Sequence, residues 1–216
     1  MSDACLLDKT DLCDKCQTVG NPVGIFTIEI MNAAIKADNE EAIVMDASSE
    51  FKDTLPTTPD ALLAILDSAG IEYTHHIHPP LRTVEDSKGH RDGMPGMHVK
   101  NLYLRDRKKR NFLVIAQEDS VIDMKSLPDV IGSDRLSFGS ADRLFEFLGV
   151  RPGAVSLFTL INDTEHRVQL ALDSSLLTAG RVYFHPLVND LTIGVTPDAI
   201  SAFLALTQHQ PKMIAL

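Results

Sequence analysis

Apolar positions from residue 58 onward keep two rhythms, one of about 3.6 residues and one of two. Leu62, Ile65, Leu66 and Ala69 recur at i, i+3, i+4 and i+7 behind Thr58-Pro59-Asp60. A capping threonine, a proline at the first helical position and an acid in the first turn are start signals, and Gly70 is a stop. The same start recurs at Thr196-Pro197-Asp198, with Ile200, Phe203 and Leu204 as its stripe. A third helix is predicted after Ser140, with Ala141, Leu144, Phe145 and Leu148 on one face and Gly149 closing it.

Strand-like runs fill the spaces between: Ile71–Ile77, Asn101–Arg105, Phe112–Ala116, Leu136–Phe138, Val155–Ile161, Val168–Leu172, Val182–Phe184 and Leu191–Val195. Two hairpins are predicted, one turning at Asp106–Arg110 and one at Asn162–His166. Helices and strands mix without strict β-α-β alternation. The expected class is α+β, a mixed and mostly antiparallel sheet with flanking helices.

Composition adds a division. The chain has 216 residues, 44% of them hydrophobic, and a net charge of −10. No apolar run approaches the roughly 18 residues of a membrane helix, and no signal peptide opens the chain. A cytoplasmic protein without a membrane partner is expected. An acidic total argues against a nucleic-acid partner, but residues 1–56 hold −7 of it and residues 57–216 only −3. Two units are therefore expected: an acidic extension over 1–56 and a main domain over 57–216. All three cysteines, Cys5, Cys13 and Cys16, lie in the extension. Cys13-Asp14-Lys15-Cys16 lacks the further ligands of a zinc site and the strand of a redox motif, so incidental thiols are the simpler account. Residues 25–37 have the pattern of a short helix.

No G-x-S-x-G, P-loop, G-x-G-x-x-G or H-E-x-x-H occurs, which weakens nucleophilic and nucleotide-driven chemistry. His75-His76-Ile77-His78 is metal-like in composition, but two histidines on one strand face are an incomplete site, and no metal or cofactor is expected. Arg105, Arg107, Lys108, Lys109 and Arg110 crowd one predicted hairpin tip with a single acid, Asp106. That tip fits a solvated turn or a phosphate contact. Lys100 and His98, at the other end of the strand, favour the phosphate, since a lysine there is a point-charge ligand for phosphate or a polarised carbonyl. Gly153, Ala154, Val155 and Ser156 form a glycine-bracketed turn that is either a helix stop or a lining of backbone amides. His185 and Asn189 follow a strand, a place where a histidine is either structural or functional.

These residues share one resemblance. Gly93 to Asp106 (GMPGMHVKNLYLRD), Leu148 to Ser156 (LGVRPGAVS), Leu160 to Asp163 (LIND) and Phe184 to Asn189 (FHPLVN) occur in the order found in free-standing prolyl-tRNA editing proteins. These are relatives of the editing domain inserted in bacterial prolyl-tRNA synthetase, and the likeness runs from about Thr58 to Gln208. It implies a hydrolase that deacylates alanine mischarged onto tRNA(Pro), with Lys100 and His185 as catalytic residues. Asn101, His98, the turn Gly153–Ser156 and Asn189 would line the pocket, and the basic tip would meet tRNA phosphates. Prolyl-tRNA synthetase or an elongation factor would be a transient partner. Leu157 stands where the family commonly has proline, which leaves the preferred amino acid open: cysteinyl-tRNA(Pro) is the alternative substrate, and a non-catalytic aminoacyl-tRNA binder the alternative function.

Overall fold

The computed structural model of the chain describes residues 46–81 and 89–216. The cysteines and the helix expected over 25–37 lie outside the described residues.

The three predicted helices form where their caps dictate. Helix α1 (Pro59–Ser68) starts with the Thr58 side chain accepting from Ala61 N–H at 3.2 Å, and buries Leu62 and Leu66. Helix α3 (Ala141–Leu148) is capped by Ser140 and closed by Gly149 at φ +66°. Its Leu144 and Leu148 are buried, whereas Phe145 remains exposed under the Arg151 guanidinium, 5.4 Å from the ring centre. Helix α4 (Pro197–Leu206) buries Ala199, Ile200, Phe203 and Leu204 beneath its Thr196 cap. A further five-residue helix, α2 (Leu127–Ile131), begins at a proline and ends at Gly132 in the left-handed conformation. It is too short to show a period.

The strands are β1 (Tyr73–Ile77), β2 (Met97–Asp106), β3 (Asn111–Gln117), β4 (Leu136–Phe138), β5 (Val168–Asp173), β6 (Val182–Phe184), β7 (Leu191–Val195) and β8 (Lys212–Ile214). They form one sheet in the order β1-β7-β6-β2-β3-β5-β8, with β4 also against β2. Four pairings are antiparallel and three, β2–β6, β3–β5 and β5–β8, are parallel. The fold is the mixed, mostly antiparallel α+β arrangement that the sequence predicts. Central β3 reads Phe-Leu-Val-Ile-Ala without alternation because both its faces are covered. Leu113 and Ile115 enter the larger core with α1, α3 and α4, and Phe112 and Val114 the smaller one with α2.

The run Val155–Ile161 is a correction. It is not a strand; Leu157–Asn162 forms a 3-10 turn whose Leu157, Phe158 and Leu160 are buried. Phe158 meets Phe203 and Phe184 edge-on, with ring centres 4.9 and 5.7 Å apart. A short, wholly apolar run is compatible with either backbone, and here aromatic packing decides. The hairpin expected at Asn162–His166 accordingly has no first strand. The Asp163 carboxylate instead accepts from Arg167 and Val168 N–H, turning the chain into β5. The hairpin at Asp106–Arg110 does form, with Lys109 at φ +67°.

Candidate functional site

Parallel strands β2 and β6 stay paired only at Met97–Val182 and His98–Tyr183. Strand β4 takes up the same edge of β2 from Leu104 onward. Between them, residues 99–103 have no strand partner on that edge among the described residues. Beyond His98 and Tyr183 the two strands therefore fork, leaving that edge of β2 open until β4 joins it. Lys100 and Asn101 lie just past the fork on β2, and His185 just past it on β6.

Strand alternation divides the β2 residues, His98 and Lys100 on one face and Asn101 on the other. His98 stacks on Tyr183 with ring centres 5.0 Å apart and planes 16° from parallel. Burial lowers its pKa, and the nearby Arg91 charge lowers it further. Lys100 Nζ donates to the Ser120 carbonyl. Burial lowers the pKa of its ammonium, while Glu118 and Asp119 pull it back up.

His185 Nδ1 lies 2.9 Å from the Leu191 carbonyl. A carbonyl only accepts, so Nδ1 carries the proton and Nε2 is a lone-pair acceptor. Burial depresses its pKa to about 4, so the ring is neutral at pH 7. Its neighbour His78, 5.8 Å away between ring centres, donates from Nδ1 to the Pro79 carbonyl and accepts from Thr192 Oγ1 at 2.8 Å. His76 packs edge-on against Tyr183. Among the described residues no group of three or more His, Cys, Asp or Glu side chains is placed to hold a metal ion.

The loop after β6 carries a second cluster. Leu187 adopts φ +72°, uncommon for so bulky a residue and a mark of a loop held in place by its surroundings. Asn189 Nδ2 donates to the Leu81 carbonyl at 3.1 Å. A side chain built on Gly153, at φ +100°, would lie 3.7 Å from that same Nδ2 and 3.7 Å from Ala47 Cβ. The glycine turn and the Asn189 loop thus face each other across the width of one methyl group. Ala154 N–H is used within the turn, donating to Arg151 O. Gly153 and Val155 N–H have no hydrogen-bond acceptor among the described residues.

Asn101 Oδ1, Ser156 Oγ and Asn189 Oδ1 are buried without a hydrogen-bond partner among the described residues, as are Ser133 Oγ and Ser175 Oγ elsewhere in the fold. The donor role of Asn189 Nδ2 fixes which end of that amide is oxygen.

The basic tip stands apart. Arg105 is five residues from Lys100, roughly 17 Å along an extended strand. Arg110 is paired with the buried Asp106 carboxylate at 2.7 Å and Lys108 with Asp134 at 3.2 Å. Arg107 and Lys109 hold no ion pair among the described residues. Two open clefts, of about 620 and 350 Å3, lie elsewhere, beside α4 and β8, and none of the predicted site residues lines them. Sequence reasoning missed Tyr183, Thr192, Leu81 and Ala47. Only Tyr183 and Thr192 had a signal, as polar members of apolar strands.

A family model for the aminoacyl-tRNA editing domain matches residues 78–203. The prolyl-tRNA editing protein ProX of Acetoanaerobium sticklandii is 37% identical over 157 residues, 72% of this chain and 96% of that protein. A prolyl-tRNA synthetase associated domain-containing protein 1 from Danio rerio is 36% identical over 69% of this chain and 83% of its own. Among solved structures, a hypothetical protein aligns with a TM-score of 0.56 at 18% identity, over 71% of this chain and 97% of its own. A candidate trans-editing enzyme for prolyl-tRNA synthetase aligns with a TM-score of 0.55, also at 18% identity, over 73% of this chain and 96% of its own. These two likenesses speak for the fold, and the matched span and the identity to ProX show that the chain belongs to the aminoacyl-tRNA editing domain family.

Proposed function

We propose that this chain is a trans-editing hydrolase that removes alanine from mischarged tRNA(Pro), acting in the cytoplasm on the acceptor end of the tRNA. Its editing unit is residues 57–216. The observation that carries the proposal is the editing-domain match over residues 78–203 together with 37% identity to ProX across 96% of that protein. The names of the ProX and synthetase-associated relatives support a prolyl-tRNA substrate.

An aminoacyl ester is already activated, so positioning of water and stabilisation of the developing oxyanion suffice without a covalent nucleophile. Lys100 anchors the terminal nucleotide or the ester carbonyl, and the Gly153 and Val155 amides receive the charge that builds on the carbonyl oxygen. Neutral His185 offers Nε2 as an acceptor beside the substrate. Water oxygen bonds to the carbonyl carbon, the bond to the ribose oxygen breaks, and that oxygen takes up a proton; alanine and free tRNA leave. No cofactor enters the scheme. Proline is spared by size, its ring being bulkier than the alanine side chain that the pocket admits. Arg107 and Lys109 meet phosphates farther along the tRNA. Association with prolyl-tRNA synthetase or an elongation factor is transient.

Lys100→Ala tests the scheme. The variant is expected to keep its circular dichroism spectrum and lose at least about a hundredfold in alanyl-tRNA(Pro) hydrolysis, the scale for removing a charge-stabilising donor. Full activity in a folded Lys100→Ala protein removes the lysine from the mechanism.

A further inference from the structure

The segment just upstream of α1 lies before the span matched by the family model, yet it is bonded to both walls of the site. Ala47 is 5% exposed and its carbonyl accepts from Asn189 N–H at 2.9 Å. Ser49 donates twice to Asp190 Oδ2, from N–H at 2.9 Å and from Oγ at 2.5 Å. Asp190 in turn gives its carbonyl to His78 N–H at 3.1 Å, which ties the same loop to the end of β1. Asp46 Oδ1 accepts from Ser48 N–H and Oγ, fixing the turn that presents Ala47.

The segment then crosses to the other wall as a 3-10 turn, Ser49–Thr54. Thr54 Oγ1 accepts from Arg151 at 3.0 Å, in the residue pair that opens the glycine turn. Leu55 packs on the main core, and Pro56 sits so close to Gly149 that any side chain there would strike it at 2.5 Å. Thr57 Oγ1 meets Asn162 Oδ1 at 2.7 Å, and Asn162 Nδ2 holds the Leu148 carbonyl at the end of α3. A chain tied to solvent-exposed helix surface would need none of these bonds. This one joins the Asn189 loop to the Gly153 turn, and its Ala47 methyl lies 3.7 Å from the side-chain position of Gly153.

We infer that Asp46–Thr54 is a positioning strap for the aminoacyl pocket, holding the Asn189 loop at a fixed distance from the glycine turn. The inference rests on the assignment of those two walls to the aminoacyl group. Its physical content is spacing: Asn189 Oδ1 and Ser156 Oγ sit on separate loops, and acceptors on separate loops grip one ligand only while those loops keep their separation. Ala47 borders the pocket through its methyl group, and the rest of the strap acts through the loops it holds. Ser49 and Asp190 are positioning residues, and the expected signature is a fall in kcat and in selectivity with little change in KM for the tRNA.

The test uses the full chain and steady-state hydrolysis of alanyl- and prolyl-tRNA(Pro). Ser49→Ala removes one of two bonds and Asp190→Ala removes both, so kcat for the alanyl ester is expected to fall about threefold and about tenfold respectively. KM is expected to stay within about twofold, and the alanyl-to-prolyl rate ratio to fall in the same order as kcat. Ser49→Thr keeps the hydroxyl and restores wild-type values. Thermal melts verify that each variant is folded at the assay temperature. Folded Ser49→Ala and Asp190→Ala proteins with wild-type kcat and an unchanged rate ratio overturn the strap while leaving the editing function standing. A wild-type chain inert on the alanyl ester overturns the editing function and the strap together.

Discussion

Gly153 separates what the backbone needs from what the substrate needs. Its φ of +100° lies in the region that favours glycine, yet a methyl group built there meets nothing closer than 3.7 Å. Gly153→Ala therefore carries a backbone penalty and no clash, roughly 1–2 kcal/mol. With a urea dependence of about 2 kcal/mol per molar, the unfolding midpoint is expected to drop by about 0.5–1 M while the protein stays folded. Gly149→Ala is the contrast: φ is +66° and the added carbon would sit 2.5 Å from Pro56 Cγ and 2.6 Å from Asn162 Nδ2, so its loss of stability is larger. The new methyl at residue 153 occupies the space between Ala47 and Asn189, where the aminoacyl group is assigned. A single misplaced methyl in such a pocket is worth about 10–200-fold, and kcat/KM for the alanyl ester is expected to fall by at least the lower figure. Urea titration and ester hydrolysis on the same preparation give both numbers. An unshifted midpoint would refute the backbone argument, and an unchanged kcat/KM the place of the turn in the site.

Two further predictions concern charge. Burial holds His185 at about 4 against an ordinary 6.5, so between those values the unfolded chain binds a proton that the folded chain refuses. Stability present above about pH 6.5 is lost as pH falls toward 4, by at most about 3 kcal/mol, and urea midpoints at pH 7 and pH 4.5 are expected to differ less in His185→Gln; equal differences would remove His185 as the cause. At the hairpin tip, replacing Arg107 and Lys109 by alanine is expected to raise KM for the tRNA without lowering kcat. The salt dependence of binding should flatten by about one logarithmic unit of slope for each phosphate that is no longer neutralised, and an unaltered salt slope would take the tip out of the interface.

The helix starts at Thr58, Ser140 and Thr196 were legible because each cap acts within four residues of itself. The sheet runs were legible where both neighbours of a strand are also strands, as in β3 and β7. Legibility failed where long-range packing chooses between backbones, as it does for Leu157–Asn162 under Phe203 and Phe184. It failed again for elements of three to five residues, β8 and α2, in which no period can develop. The site shows the same limit. Lys100, Asn101 and His185 stand out by motif, but the fork beside which they lie depends on where pairing between β2 and β6 stops. No local pattern marks that point. The bonds from Ala47 and Ser49 to Asn189 and Asp190 span about two-thirds of the chain and leave no trace in the composition of either end.

Hydrolysis of one mischarged ester defines the proposed function. Purified full-length chain, incubated in parallel with alanyl-, cysteinyl- and prolyl-tRNA(Pro), with and without chelator, gives the most direct measurement when ester loss is followed over time. Rapid loss of the alanyl ester, unaffected by chelator, with the prolyl ester spared, is the predicted result. Alanyl ester that decays no faster than in buffer alone would overturn the editing function.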